Sequence, residues 1–582
     1  MQTINKMGLL VAMTAALSTL IVLPTITYDP INIPKMSVVA IGSFATIPYI
    51  FHLRRDFLRI DKKILALFAI FAFALIINIF LSPGAFSQRF WGTWGRSNGF
   101  LSYWSCFLAL ISASIYSSKV AINTFFSIFL RSSYIVSSYA FLQLLKLDPV
   151  SWSAQEPFST LGNINFMSAF LGLACALLIV FISESDRVWH ERLFFFSVTC
   201  FNIWIIITSG SIQGIAIVLT AMVIVFTIKI YSSKGLFGGM TFLTGSSIIG
   251  GFVLIGTLGL GPLRALVQAT ALYRSDYWRA GWDMFKSNWF FGVGLDSYGD
   301  YYRQYRDLLA TVRTGPQRTT NTAHNIFLDL LANGGILLGG SFLILCTYVI
   351  LRLGYLITKD KGKSPELVRI MTLVFSSMIF YLISINQIGV GFWGFIFLGL
   401  AIGVCTRHSI PLAISQREKA LKDKSITGGK KPKFDRVGSS ESKDSEFAKM
   451  PNVFLVLLFG VIGGVLALPP LLSDHKMLNG LRNNDLVTIK LAAGTIGSSE
   501  FYREKYLDML VKSGMEREAH AYAQQMFENN PRSFPALIFI ALSSVSSDGE
   551  REDALKLLVN LDPMSASLPL EIKEQWKLNS GS

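Results

Sequence analysis

The chain has 582 residues, 52% of them hydrophobic and only 15% charged, a balance that excludes an ordinary water-soluble globule because too little polar surface exists to cover one. The net charge of +15 would suit nucleic acid, yet the basic residues lie in short stretches between apolar runs, and no nucleic-acid partner is expected. Five cysteines (Cys106, Cys175, Cys200, Cys346, Cys405) fall inside or at the ends of those runs without CxxC or Cys/His spacing, which argues against a disulfide scaffold or a structural metal.

In chain order, roughly thirteen runs are long and apolar enough to cross a bilayer as helices, which satisfy their own backbone hydrogen bonds. They lie near residues 8–26, 37–52, 64–81, 99–117, 121–143, 164–183, 193–208, 212–230, 240–260, 323–352, 368–385, 388–406 and 452–470. The fold class is therefore all-α, a polytopic membrane protein. Lys6 precedes the first run, but no small-x-small cleavage site follows, so it reads as a retained helix.

Basic residues near membrane segments are held on the cytoplasmic side. Arg54, Arg55, Arg59, Lys62 and Lys63 lie in residues 52–63, Arg187 and Arg192 in 184–192, and Lys359, Lys361, Lys363 and Arg369 in 353–369. These alternate loops face inward, and the N-terminus is cytoplasmic. Residues 1–406 form the membrane core. The polar, Ser/Gly/Lys-rich stretch 407–450 reads as a basic cytoplasmic linker beside anionic headgroups. A last helix at 451–472 recrosses and leaves residues 473–582 outside as a small helical domain. There "GMEREAHAYAQQMFENNPRSFPALIFIALSSV" and "GEREDALKLLVNLDP" have the helix openings and Asn-Pro or Asp-Pro stops of a degenerate tetratricopeptide-like repeat, or equally of an irregular bundle.

Against this charge rule, the external loop 261–322 holds Arg264, Arg274, Arg279, Lys286, Arg303, Arg306, Arg313 and Arg318, partly balanced by five aspartates. An earlier external loop, "SQRFWGTWGRSNGF", sets Arg89 and Arg96 among Trp and Gly. Guanidinium forks bind phosphate bidentately, and a diphosphate-linked lipid presents its anion at that depth. The alternative is that these arginines are solvated or paired with the aspartates. Of six histidines, His52, His190 and His408 fall inside, and His475 and His520 belong to the tail. His324 remains, at the start of a membrane helix directly after the Arg-rich loop, where a neutral imidazole can take a proton from an acceptor hydroxyl. Asn325 beside it either orients substrate or caps the helix. The external Trp and Tyr residues, Trp91, Trp94, Tyr277, Trp278, Trp282, Trp289, Tyr298 and Tyr301, either stack on sugar rings or form an interfacial aromatic belt.

Four segments in order resemble the O-antigen ligase and O-antigen polymerase superfamily, which includes bacterial protein O-oligosaccharyltransferases. They are "RFWGTWGRSNGF" (89–100), "STLGNINFMSAFL" (159–171), "RSDYWRAGWDMFKSNWFFGVGLDSYGDYY" (274–302) and "TAHNIFLDLLANGGILLGG" (322–340). The third is similar to the family's R-x-x-x-W segment and apolar-Gly-x-Gly turn, with Arg274, Trp278, Gly292 and Gly294 in place. The fourth resembles its His-Asn helix start, with Gly334 and Gly335 after it.

The resemblance implies a GT-C-like helical membrane fold in a bacterial inner membrane. It implies a metal-independent glycosyltransferase, with no cofactor and no metal site, that moves a glycan from a polyprenyl-diphosphate carrier to a lipid, glycan or protein hydroxyl at the outer face. By resemblance Arg274 contacts the donor diphosphate and His324 is catalytic; Arg96 and Asn163 line the donor site. Arg279 and Arg89 join as further diphosphate ligands, and Asn325 and Trp278 position substrate. One departure is "TSGSIQG" (208–214), which lacks the arginine of the family's Ser-Arg-Gly-like turn. The rival readings are a repeat-unit polymerase, a protein O-oligosaccharyltransferase, a flippase for the same lipid, and a scaffold whose tail recruits partners. A flippase calls for ionisable residues buried mid-membrane, and the apolar runs contain almost none.

Overall fold

The computed structural model describes residues 2–82, 84–115, 119–152, 156–426 and 451–564, and all the regular structure among them is helical. Among the described residues ten helices are long and apolar enough to cross a membrane, and Ile4–Leu20 and Phe100–Ile115 are shorter apolar helices. The 46-residue helix Ile212–Thr257 holds two of the runs, divided at Gly235, whose φ of 73° interrupts the helical path. Local chemistry sets several starts: Asp61 accepts from Lys63 N at 2.9 Å ahead of Lys62–Leu81, and Asn452 accepts from Phe454 N at 2.9 Å ahead of Val453–Asn483. Ile388–His408 is enclosed on every side by other helices, which suits a run apolar all round.

One membrane helix begins earlier than hydropathy suggests and thereby takes in a charged residue. The helix expected from residue 37 starts at Asn32 and contains Lys35, fully buried, whose Nζ donates to the carbonyl oxygens of Ser18, Thr19 and Ile21 at 2.8–3.1 Å. These are carbonyls at the end of the first helix that no further turn would satisfy, so the ammonium acts as a cap. A second buried charge, Asp329, lies within the expected run 323–352, in the helix Ile326–Gly335.

The backbone following the core remains helical through Ile426; residues 427–450 of the expected linker lie outside the described residues, as do residues 565–582 of the expected tail domain. Val453–Asn483 runs unbroken through Pro469 and Pro470, past the expected end of the last membrane segment. The five helices that follow, from Leu486 to Leu561, enclose a core of their own that includes Tyr502, Tyr506, Leu510, Met526, Leu537 and Leu558.

This C-terminal unit packs on the large loop. Arg303 and Arg306 reach Asp562 at 3.1 and 2.6 Å. Nearby, Asp300 accepts from Gln88 Nε2 at 3.1 Å. Removal from water, then Glu500, raises the Asp300 carboxyl from 3.8 to about 7, against the pull of Gln88 and Arg532; Asp296 adds to the rise. Between those values the folded chain keeps a proton that the unfolded chain has lost, so stability falls as pH rises through this window and levels off above it. We expect the thermal midpoint to be higher near pH 5.5 than near pH 8. Asp300→Asn should flatten that slope in a pH series of melts.

Candidate functional site

Helices Ala269–Ser287 and Ile326–Gly335 lie close together because Gly281 has no side chain: a Cβ there would stand 3.1 Å from Leu328 and 3.2 Å from Tyr298. Beyond the first helix the chain turns through Phe290–Gly294 and docks on the end of the second. Val293 N donates to Ala332 O at 2.9 Å, Gly294 N to Asn333 O at 2.9 Å, and Ile336 N to Trp289 O at 2.7 Å. Asn78, from Lys62–Leu81, locks the joint, donating to Phe291 O and Asn333 O and accepting from Leu295 N at 2.8 Å. The two glycine motifs are thus halves of one joint. At Gly335 φ is 65°, and a Cβ would fall 2.2 Å from Phe290 O. Gly335→Ala should therefore cost several kcal/mol, about 1–3 for the backbone and a similar amount for the clash, read as a lower melting temperature or lost expression.

His324 stands at the head of the second helix with φ 53°, a left-handed conformation costly for a side chain of its size. Its neighbours hold it there. Asn325 is the N-cap, accepting from Leu328 N at 3.1 Å, and Asp329 accepts from Ala323 N at 2.7 Å. The ring of Tyr277 stacks on the imidazole at 5.4 Å between centroids, and Tyr277 O accepts from Tyr298 OH at 2.5 Å.

Arg96 and Arg274 bear on the same imidazole. Burial, then Arg96 and Arg274, push His324 from 6.5 down to about 3, so the ring is neutral. Burial also lowers both arginines. Among the described residues neither has a carboxylate within ion-pair distance. Arg96 Nη1 donates to Gly95 O at 3.3 Å, while its buried Nε has no partner. The loop that presents Arg96 is fastened by Asp296, a buried residue that composition did not single out. Its Oδ2 accepts from Thr93 N at 2.6 Å and Asn98 N at 3.2 Å. Burial raises the Asp296 carboxyl, opposed by those two amides, the Thr93 hydroxyl and Arg96.

The other sequence candidates stand differently. Arg279 is taken up by Asp307 and Asp276, both at 2.6 Å, which raise its pKa. Arg89 donates to Ile79 O. Asn163 is exposed and caps Ile164–Ser183, accepting from Asn165 N at 2.8 Å. Trp278 and Asn325 stand at the head of an apolar groove of about 600 Å³ that continues along Leu343, Ile350, Phe375 and Met378 between two membrane helices.

The paired glycine motifs, Arg274 and His324 all lie in residues 165–343, and these match the family model described as O-Antigen ligase. Residues 165–343 are similar to the O-antigen ligase family. The match supports the O-antigen ligase superfamily, and with the many apolar helices it supports a multi-pass, O-antigen ligase/polymerase-like membrane enzyme. The matched stretch includes Trp278, Arg279 and Asn325; Arg89, Arg96, Asn163 and the C-terminal helices lie outside it. No curated protein sequence matches the chain.

Proposed function

We propose that the enzyme transfers a glycan from a polyprenyl-diphosphate carrier to a hydroxyl acceptor at the outer face of a bacterial inner membrane. What carries the reading is that Arg96 and Arg274, neither within ion-pair distance of a carboxylate among the described residues, both act electrostatically on the His324 imidazole, with Asp296, Asp329 and Asp29 offsetting the charge of Arg96 in part. Such a pair is an electrostatic seat for a diphosphate. The apolar groove that starts at Trp278 and Asn325 is where the carrier's hydrocarbon would lie.

The acceptor oxygen attacks the anomeric carbon, and its proton goes to His324. The bond from that carbon to the phosphate oxygen breaks, and polyprenyl diphosphate leaves with the electron pair, its added charge held by Arg96 and Arg274. A single displacement inverts the anomeric centre. Asn325 and Trp278 lie where they can position substrate. Arg279 and Arg89 would serve as further diphosphate ligands only beyond the bonds they already make to Asp276 and Asp307 and to Ile79 O, and Asn163 beyond its capping bond to Asn165 N.

The test is an assay of purified enzyme with a polyprenyl-diphosphate-linked glycan and three acceptors: lipid A core, a second lipid-linked repeat unit, and a Ser-containing protein. The acceptor that is modified distinguishes ligase, polymerase and protein glycosyltransferase. Release of polyprenyl diphosphate with an inverted product by NMR supports the reading; retention of configuration, or no release with any acceptor, overturns it.

A further inference from the structure

The C-terminal helices touch the two loops that present the site. Phe501 stacks on Trp94, two residues before Arg96, with centroids 4.1 Å apart and the ring planes 13° from parallel, and Tyr28 adds a third ring 5.7 Å from Trp94. On the other loop, the Arg532 guanidinium lies 3.7 Å over the ring of Tyr301 and donates to Gln304 Oε1 at 2.6 Å and Asp300 O at 3.2 Å. Asp562 holds Arg303 and Arg306, and Arg303 also lies 4.1 Å over Phe534. All three contacts fall on or beside the helix Tyr298–Tyr305 or the Arg96 loop. That helix backs the site, because Tyr298 OH is bonded to Tyr277 O and Tyr277 stacks on His324.

We propose that the C-terminal helical unit is a positioning element of the site, in which Phe501 sets the Arg96 loop through Trp94 while Arg532 and Asp562 hold the helix behind Tyr277. The proposal rests on the diphosphate-transfer reading of the site. A domain tethered only to recruit partners has no need of the buried charge at this interface, where the Asp562 side chain is 1% exposed and that of Arg306 0%. A buried pair is costly to desolvate and contributes chiefly by fixing one orientation.

The experiment uses the full chain in nanodiscs and compares wild type, Phe501→Ala, Phe501→Trp and Arg532→Ala. Hydrogen exchange is followed over residues 92–98 and 298–305, and binding of undecaprenyl diphosphate is titrated in parallel. We expect Phe501→Ala to speed exchange at Thr93 and Asn98 and to weaken binding about tenfold, the scale of one lost aromatic contact. Phe501→Trp should restore both. Arg532→Ala should speed exchange in residues 298–305, and it keeps the test decisive if Phe501→Ala unfolds residues 486–561 as a whole. Wild-type exchange in both alanine variants overturns the proposal. If wild type binds no undecaprenyl diphosphate, the reading of the site fails, and exchange alone decides whether the tail positions these loops.

Discussion

Replacing His324 with Ala should lower the rate of glycan transfer by about 10²–10⁴, the usual contribution of a positioned general base, while donor binding stays within a few-fold of wild type. The separation follows from the geometry. The backbone of His324 is held in a left-handed turn, with Asp329 on the Ala323 amide before it and Asn325 capping the helix after it, and its ring is braced by Tyr277, whereas the groups suited to an anion are Arg96 and Arg274. The measurement is a single-turnover assay at saturating donor alongside a donor-binding titration. Equal loss of rate and binding would make His324 a ligand of the donor, and an unchanged rate would remove it from the chemistry altogether. His324→Asn keeps a polar side chain that tolerates the left-handed backbone. It should fold as wild type and be as inactive as the Ala variant, which separates lost proton transfer from lost structure.

The membrane character and the main motifs were legible in the sequence because both are written in local pattern. Apolar runs report the bilayer, and the spacing of Arg274, Trp278, Gly292 and Gly294 belongs to one continuous stretch. What the sequence did not disclose is pairing at a distance. The sequence ranked Arg274 above Arg279 without a spatial reason, and the ion pairs supply one: Arg279 is held by Asp276 and Asp307, whereas Arg274 has no carboxylate within ion-pair distance among the described residues. Arg303, Arg306 and Arg313 are ion-paired as well. Much of the positive charge that broke the topological rule therefore serves the loop's own architecture. Asp296 and Asn78 were missed for a related reason: one ordinary carboxylate and one ordinary amide acquire importance only when segments some 200 residues apart meet. Asp329 escaped because it sits just inside the start of an apolar run, where hydropathy averages away a single charge, and Lys35 because it lies two residues before one. The Ala323 amide for Asp329 and the carbonyls ending the first helix for Lys35 make their burial tolerable.

The two arginines also make a prediction about the base itself. With Arg96 and Arg274 acting on it and the ring partly buried, His324 at about 3 is neutral but a weak proton acceptor. A diphosphate seated between the guanidiniums would reverse the sign of the local field. One negative charge about 5 Å away, at an effective dielectric near 20, is worth roughly 3 kcal/mol, or about two pKa units. Donor binding should thus raise the basicity of His324 just when an acceptor proton has to be taken, and it imposes an order in which the donor enters first. With histidines labelled at Cε1 and the His324 signal assigned from the Ala variant, NMR titration should show a pKa rise of about two units when undecaprenyl diphosphate is added. In Arg274→Ala the free enzyme should start higher, since one repelling cation is gone. Its anion-induced rise should shrink, and transfer should fall about 10²-fold, as expected when one preorganised contact to the leaving group is removed. Arg274→Lys restores charge without the bidentate fork and should recover the starting pKa more fully than the rate. If the anion binds and the His324 titration does not move, the diphosphate lies elsewhere than between Arg96 and Arg274, and His324 must find its base strength from another source or serve only to orient the acceptor.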